Sequence, residues 1–256
     1  MNRICLIGFG NLGYRYFQAI LNIKLKFELS VVDIVAPFDK GYAHLSNFKK
    51  KNSTVKFYKK INQTSKNFDL VIISTTADKR LQLIKDIKKN LKFKYIIIEK
   101  PLTQSNYELS QIKKIIKNKK CWVDTHKRFT KPYKFIGNKI NKRHKIRMNV
   151  EGKNWGICCN SLHYLDLFYS FCRSKVSSIS EIKKMKWLKS KRNNYYELDD
   201  GVIEINCNKN ILKLISENNK KKNDEFVKIS IFNGNNKWEI LEKLEGHYVL
   251  FENKEF

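Results

Sequence analysis

The sequence predicts an α/β fold: a doubly wound parallel sheet over residues 1–128, then a smaller α+β domain over 129–256 with a mostly antiparallel, open sheet. Three observations predict it. Through the first half, short apolar runs alternate with segments of 3.6-residue periodicity. A glycine turn follows the first of these runs at once. Beyond residue 128, strand-like runs succeed one another with a single strongly apolar helix among them.

The first run, Ile4 to Ile7, is unbroken, as in a strand covered on both faces. Gly8, Gly10 and Gly13, with Asn11 and Leu12 between the last two, fit G-x-G-x-x-G. In that pattern the first glycine permits a tight turn, the second lets backbone approach a pyrophosphate, and the third packs helix on strand. Leu12, Tyr16, Phe17, Ile20 and Leu21 share one side of a helix, so its positive N-terminus faces the turn and suits an anion. The second run, Phe27 to Val32, ends at Asp33, 20 residues beyond Gly13, where a carboxylate accepts from the ribose hydroxyls of adenosine. The alternative is a βα unit with an incidental turn and a strand-ending acid. A carboxylate at 33 favours NAD because it repels a 2′-phosphate, while nearby Lys40 leaves NADP open.

Irregular sequence with breakers at Pro37 and Gly41 predicts a loop and short helix over 34–52, beside the adenosine end. Thr54 to Tyr58 reads as a third strand and Phe68 to Thr76 as a fourth, with Ser74, Thr75 and Thr76 at the end where open parallel sheets take ligands. A helix is expected from Ala77 and Asp78, with Asp78 as its first-turn acid. Lys94 to Lys100 predicts a fifth strand, closed by Pro101, followed by a helix from about Ser105 to Lys117 and a sixth strand from Cys121 to Thr125. In the second half, strands are expected at Ile146 to Val150 and at about 182–188, 201–207, 211–217, 226–232 and 237–250, with the helix at Ser161 to Phe171 packed on one face. Asn233 to Asn236 reads as a hairpin turn and Asn218 to Asp224 as a mobile loop.

The formal charge of +28 invites a nucleic-acid reading, but lysine is spread through nearly every predicted helix and loop. Runs such as Lys49-Lys50-Lys51 and Lys220-Lys221-Lys222 read as solvated faces. No nucleic-acid partner is expected; the charge suits an anionic small substrate. The opening lacks a membrane span or signal-peptide pattern, so a soluble, cytoplasmic protein without a membrane partner is expected. Cys5, Cys121, Cys158, Cys159, Cys172 and Cys207 show no metal-ligand spacing, and neither a metal nor disulfides are expected.

Two clusters carry candidate chemistry. Glu99-Lys100-Pro101 ends a buried strand, where the proline favours an extended Lys100 aimed into the ligand crevice. An ammonium there binds a substrate hydroxyl or exchanges its proton, unless Lys100 merely ends a strand at the surface. The second is Asn160-Ser161-Leu162-His163-Tyr164-Leu165-Asp166, in which His163 and Asp166 share a helix face. His163 on its own is equally a satisfied core histidine.

The order GFGNLG, the acid ending the second strand, STTADKR, EKP, VDTHKRF and HYLD resembles the Gfo/Idh/MocA oxidoreductase family over residues 3–173. The resemblance implies a Rossmann domain followed by an α+β domain, and oxidation or reduction of a sugar or cyclitol carbon with NAD or NADP. It implies that Gly8, Gly10, Asn11, Leu12, Gly13, Asp33, Ser74, Thr75, Thr76, Glu99 and Lys100 serve the cofactor. It also implies that Lys100 is the catalytic lysine, that His163 binds or deprotonates the reacting hydroxyl with Asp166 supporting it, and that His126 and Arg128 enter the substrate cleft. Family members usually carry an aspartate four residues before the histidine, where this chain has Cys159. Asn160 with water then takes over the bond to substrate, or the protein is a catalytically silent dinucleotide-binding sensor or subunit. The implied substrate is a sugar, with a nucleotide sugar or sugar acid of surface-polysaccharide assembly favoured by the basic charge. Exposed β edges in the second domain allow a homodimer.

Overall fold

The computed structural model describes residues 1–35, 53–189, 196–217, 226–243 and 248–254. The loop and short helix expected beside adenosine, Lys40, both triple-lysine runs and the Asn218 to Asp224 loop fall wholly or mostly outside these. The chain divides into two compact units, Met1–Asp124 and Thr125–Phe256.

The first unit carries six strands: β1 Asn2–Ile7, β2 Phe27–Val32, β3 Thr54–Tyr58, β4 Asn67–Ile73, β5 Lys92–Glu99 and β6 Lys120–Asp124. They pair in the order β3-β2-β1-β4-β5-β6, parallel throughout. The chain runs outward from β1 to one edge, then returns to β4 and continues to the other. That reversal opens a crevice at the carboxyl ends of β1 and β4. Helices α1 Asn11–Leu21, α2 Arg80–Asn90 and α3 Asn106–Ile116 connect strands. Apolar runs become strands here because both faces are covered: Cys5, Leu6, Val71, Ile73, Ile96 and Ile98 are all buried. Each such Ile or Leu contributes about 1.5–3 kcal/mol by leaving water.

Helix α2 begins at Arg80, later than the sequence reading placed it. Asp78 is therefore not its first-turn acid; it accepts a hydrogen bond from Thr76 Oγ1 at 3.3 Å, and residues ahead of Arg80 form a turn. Helix α3 is capped as its sequence demands, with Ser105 Oγ accepting from the Glu108 N–H at 3.1 Å.

The second unit has helices α4 Lys131–Lys139 and α5 Ile157–Cys172, and nine strands among the described residues. Seven form one sheet in the order β15-β14-β13-β7-β12-β11-β8: Tyr248–Lys254, Asn236–Lys243, Phe226–Asn233, Ile146–Lys153, Asn210–Glu217, Gly201–Cys207 and Ser178–Lys183. Only the β7–β12 pair is parallel. The other two, β9 Lys186–Lys189 and β10 Tyr196–Asp199, pair antiparallel. The predicted hairpin closes between Asn233 and Asn236, with Gly234 at φ 60°. Ile146, Met148 and Val150 of β7, Leu212 and Leu214 of β12, and Trp238 and Ile240 of β14 alternate inward and pack with Tyr164, Leu167, Phe168 and Phe171 of α5.

Three expectations need correction here, and one helix was not anticipated. The strand expected at 182–188 is two, β8 and β9, and the run at 237–250 is β14 and β15. Helix α4 escaped the sequence reading, although Pro132 in its first turn is a start signal. Helix α5 starts at Ile157 rather than Ser161, so Cys158, Cys159 and Asn160 belong to its first turn. The physical reason is Gly156, whose φ of 71° turns the chain, and Glu197, whose carboxylate caps the Cys158 N–H from β10.

Candidate functional site

In the first unit the glycine turn joins β1 to α1. Gly8 has φ 94°, a conformation other residues rarely adopt, and its N–H donates to Val32 O at 2.8 Å. A Cβ on Gly13 would lie 2.1 Å from the Gly8 carbonyl oxygen, so helix and strand approach as closely as the motif requires. Gly10 differs: a Cβ there meets nothing within 4 Å and would instead fill the space above the turn. The first-turn N–H groups of exposed Asn11 and Leu12 have no helical carbonyl to bind. A cradle a Cβ would obstruct, beside free helix-terminal donors, fits a dinucleotide pyrophosphate.

Asp33 Oδ1 accepts from the Val35 N–H at 2.9 Å and Oδ2 from the Phe9 N–H, which fixes the carboxylate beside the glycine turn. Gly8, Gly10, Asp33, Ser74, Thr75 and Thr76 line one cavity of about 880 Å³. The hydroxyl of Ser74 faces the turn itself, donating to Gly8 O at 2.8 Å and Ile7 O at 3.1 Å, so its part is to hold the loop.

Two residues of this region escaped the sequence reading. Phe9, between the motif glycines, is buried edge-to-face against Phe17 and Phe57 at 5.4 and 5.8 Å and pins the loop to the core. Arg80 is wholly buried and bonds Thr75 O at 2.7 Å and Glu99 O at 2.8 Å, stapling the ends of β4 and β5 together. Its signal was an arginine on the apolar face of α2, three and four residues before Leu83 and Ile84. Lys100 follows β5, half-buried, with a cis peptide bond to Pro101. Glu99 is buried, and burial together with Asp124 raises its carboxyl to about 7.

In the second unit, one turn of 3₁₀ helix, His126–Phe129, presents alternate side chains in opposite directions. His126 stands edge-to-face on His163 of α5, ring centres 4.8 Å apart, and Arg128 Nε lies 3.3 Å from Asp166 Oδ2. Burial raises the Asp166 carboxyl, while Arg128 and a hydrogen bond from Thr125 oppose the rise. Between these two contacts Lys127 points the other way, onto buried Glu242, which also accepts from Tyr133 and Tyr164 hydroxyls at 3.0 and 3.1 Å. That buried anchor holds the turn and thereby aims His126 and Arg128. The expected pairing of His163 and Asp166 on one helix face is present, and both meet the 126–129 turn.

Asn160 donates its amide to Trp155 O at 2.7 Å, bracing the entry to α5. Cys159 is exposed. Its neighbour Cys158 has a thiol pushed up to about 12 by burial and then by Glu197. No group of three His, Cys, Asp or Glu among the described residues is arranged to hold a metal ion. Among the described residues, no helix is long and apolar enough to cross a membrane.

Residues 2–126 match the model of an oxidoreductase family with an NAD-binding Rossmann fold, GFO_IDH_MocA. No curated protein matches the chain. Among solved structures, the chain is similar to the WlbA dehydrogenase of Chromobacterium violaceum in complex with NADH and UDP-GlcNAcA, at TM-score 0.72 and 15% identity over 98% of this chain and 78% of that one. It is similar to apo scyllo-inositol dehydrogenase of Lactobacillus casei, at TM-score 0.66 and 16% identity over 99% and 81%. The transcriptional regulator Gal80p of Kluyveromyces lactis is also similar, at TM-score 0.75 and 13% identity over 98% and 74%. Likeness at these identities is a statement about fold.

Proposed function

We propose, from the match of residues 2–126 to the NAD-binding Rossmann model of the Gfo/Idh/MocA oxidoreductase family, that the protein is an NAD-dependent dehydrogenase acting on a sugar or sugar derivative. The observation that carries the reading is the open cradle over Gly10, with Asp33 at the other side of the same cavity. Gly10, Asn11 and Leu12 would hold the pyrophosphate, and Asp33 the adenosine ribose, with NAD preferred over NADP because a carboxylate repels a 2′-phosphate. The chemistry the cofactor supplies when bound is acceptance or donation of hydride. Thr75 and Thr76 line the cofactor cavity, Ser74 shapes it, and Glu99 and Lys100 stand at the end of β5.

Lys100 exchanges a proton with the reacting hydroxyl, and His163 binds or deprotonates that hydroxyl. His126 backs His163, while Arg128, tied to Asp166, is a cation for an anionic substrate group. Asn160 braces the first turn of α5, where Cys159 replaces the family's aspartate. A nucleotide sugar or sugar acid is the favoured substrate class, supported by the charge of +28. The experiment is NADH binding by fluorescence, followed by turnover of candidate sugars by wild type and Lys100→Ala. Binding with a loss of rate of about 100-fold or more is expected of a general acid–base; unchanged turnover removes the role given to Lys100.

Cys159 favours a second reading, a dinucleotide-binding sensor or subunit without catalysis. Cys159→Asp separates the two: a large gain in rate marks a decayed site, and a loss marks a native site that works as it is.

A further inference from the structure

Gly156 opens α5 with no side chain of its own, and the space above it is bordered by residues of two elements. A Cβ on Gly156 would stand 3.4 Å from Glu197 Oε2, 3.4 Å from Asn160 Nδ2 and 3.9 Å from Cys159 Cβ. Glu197 belongs to β10, and its other oxygen, Oε1, accepts from the Cys158 N–H and from the Leu198 N–H, the latter at 3.2 Å. One oxygen thus fixes the carboxylate on the helix while the second borders the space. Asn160 is held by its bond to Trp155 O at 2.7 Å. Glu197 and Asn160 are half-buried and Cys159 is exposed, so the space is open to a ligand from solvent. Residues three and four apart are neighbours on a helix surface, so His163 adjoins both Asn160 and Cys159.

We propose that Glu197 is a substrate-binding residue: it supplies from β10 the carboxylate that α5 lacks at position 159, and accepts a hydrogen bond from the sugar hydroxyl next to the one at His163. The inference rests on the reading of His163 as the residue that meets the reacting hydroxyl. A sugar presents hydroxyls on adjacent carbons, and a carboxylate one turn before an imidazole on the same helix face suits such a pair. Capping alone does not ask for a charge, because a neutral asparagine or serine oxygen caps a helix as well as a carboxylate does. A hydrogen bond to an ionised acceptor is roughly twice as strong as a neutral one, and a carboxylate already fixed by backbone makes it without reordering. Glu197 thereby selects sugars that carry a hydroxyl at the neighbouring carbon.

Glu197→Gln keeps an oxygen for the Cys158 N–H and removes only the charge, so its thermal melt should match that of the wild type. On a sugar that the wild type turns over, its kcat/KM should fall about ten- to a hundredfold, the range for losing a hydrogen bond to a charged group. Cys159→Asp should lower the rate in the wild-type background, where two carboxylates crowd one space. In the Glu197→Gln background the same change should restore at least about tenfold, because a carboxylate returns to that space. A residue that only caps α5 would show neither the loss at an unchanged melt nor the rescue. Equal kcat/KM in Glu197→Gln, or no rescue by Cys159→Asp, overturns the proposal. So does a gain in rate from Cys159→Asp alone, an arm that remains if Glu197→Gln fails to fold. Unchanged turnover in His163→Ala, or a wild type that turns over no candidate sugar, removes the underlying reading and the proposal with it. A loss in His163→Ala with none in Glu197→Gln removes the proposal alone, so the two failures are told apart.

Discussion

Gly10 and Gly13 belong to one motif and yet predict opposite phenotypes. At Gly13 an added Cβ collides with backbone at 2.1 Å, which no rotamer relieves. Gly13→Ala should lower stability by about 1–3 kcal/mol, the usual cost of overpacking, and should lose NADH binding as the turn shifts. Gly10 has φ −76° and open space, so Gly10→Ala should melt as wild type while binding NADH at least about tenfold more weakly. Thermal melts beside fluorescence titrations check both; a stable Gly13→Ala that binds NADH would refute the close-packing account. Glu99 adds a pH signature. Its ordinary value is 4.5 and its folded value about 7, so the folded protein holds a proton that the unfolded chain releases. That stability is complete below 4.5 and disappears as pH rises through 7. The denaturant midpoint of wild type relative to Glu99→Gln should therefore fall across that window and stay level outside it. The glycine turn, and the places of Asp33 and Lys100 at strand ends, were legible in sequence because local pattern sets them. Phe9, Arg80 and Glu242 were not, since each is defined by a partner distant in the chain, and a buried arginine or glutamate is recognised only once that partner is placed.

At the scale of elements, alternating or unbroken apolar runs announced the strands of both sheets, and starts and stops were misplaced where caps come from elsewhere. Helix α5 shows why. Its opening turn depends on Glu197, 39 residues from Cys158, so periodicity alone could not reveal that Cys158 to Asn160 are helical. Strand β14 shows the converse: Trp238, Ile240 and Glu242 all face the core, and the alternation was readable while the use of a glutamate there was not. Lys127 and Glu242, each 7% exposed, join the 3₁₀ turn to β14, and Tyr164 brings in α5, with the Lys127 ammonium 4.6 Å from its ring centre. Removing one member leaves the other's buried charge without its opposite charge. Glu242→Gln or Lys127→Met should cost about 3–5 kcal/mol in denaturant unfolding, whereas the double variant Lys127→Met/Glu242→Leu should recover most of it. Recovery of stability without recovery of activity would show that the pair is kept to aim His126 and Arg128.

For the whole molecule the dominant quantity is charge: 52 Lys and Arg against 24 Asp and Glu. Two effects of salt oppose each other. Exposed pairs such as Lys94–Asp69, Lys139–Glu252, and Lys183 and Lys186 on Asp200 lose attraction as salt rises, but pairs so open to solvent contribute little. Repulsion among the excess lysines is longer in range and falls as the Debye length shrinks from about 30 Å at about 0.01 M to about 10 Å at about 0.1 M. With an excess of 28 positive charges, relief of repulsion outweighs the weakened pairs. The melting midpoint should therefore rise with added sodium chloride, and binding of an anionic sugar should weaken over the same range. A midpoint that falls with salt would mean the ion pairs carry more stability than exposed pairs elsewhere, and that the basic surface is organised rather than merely abundant.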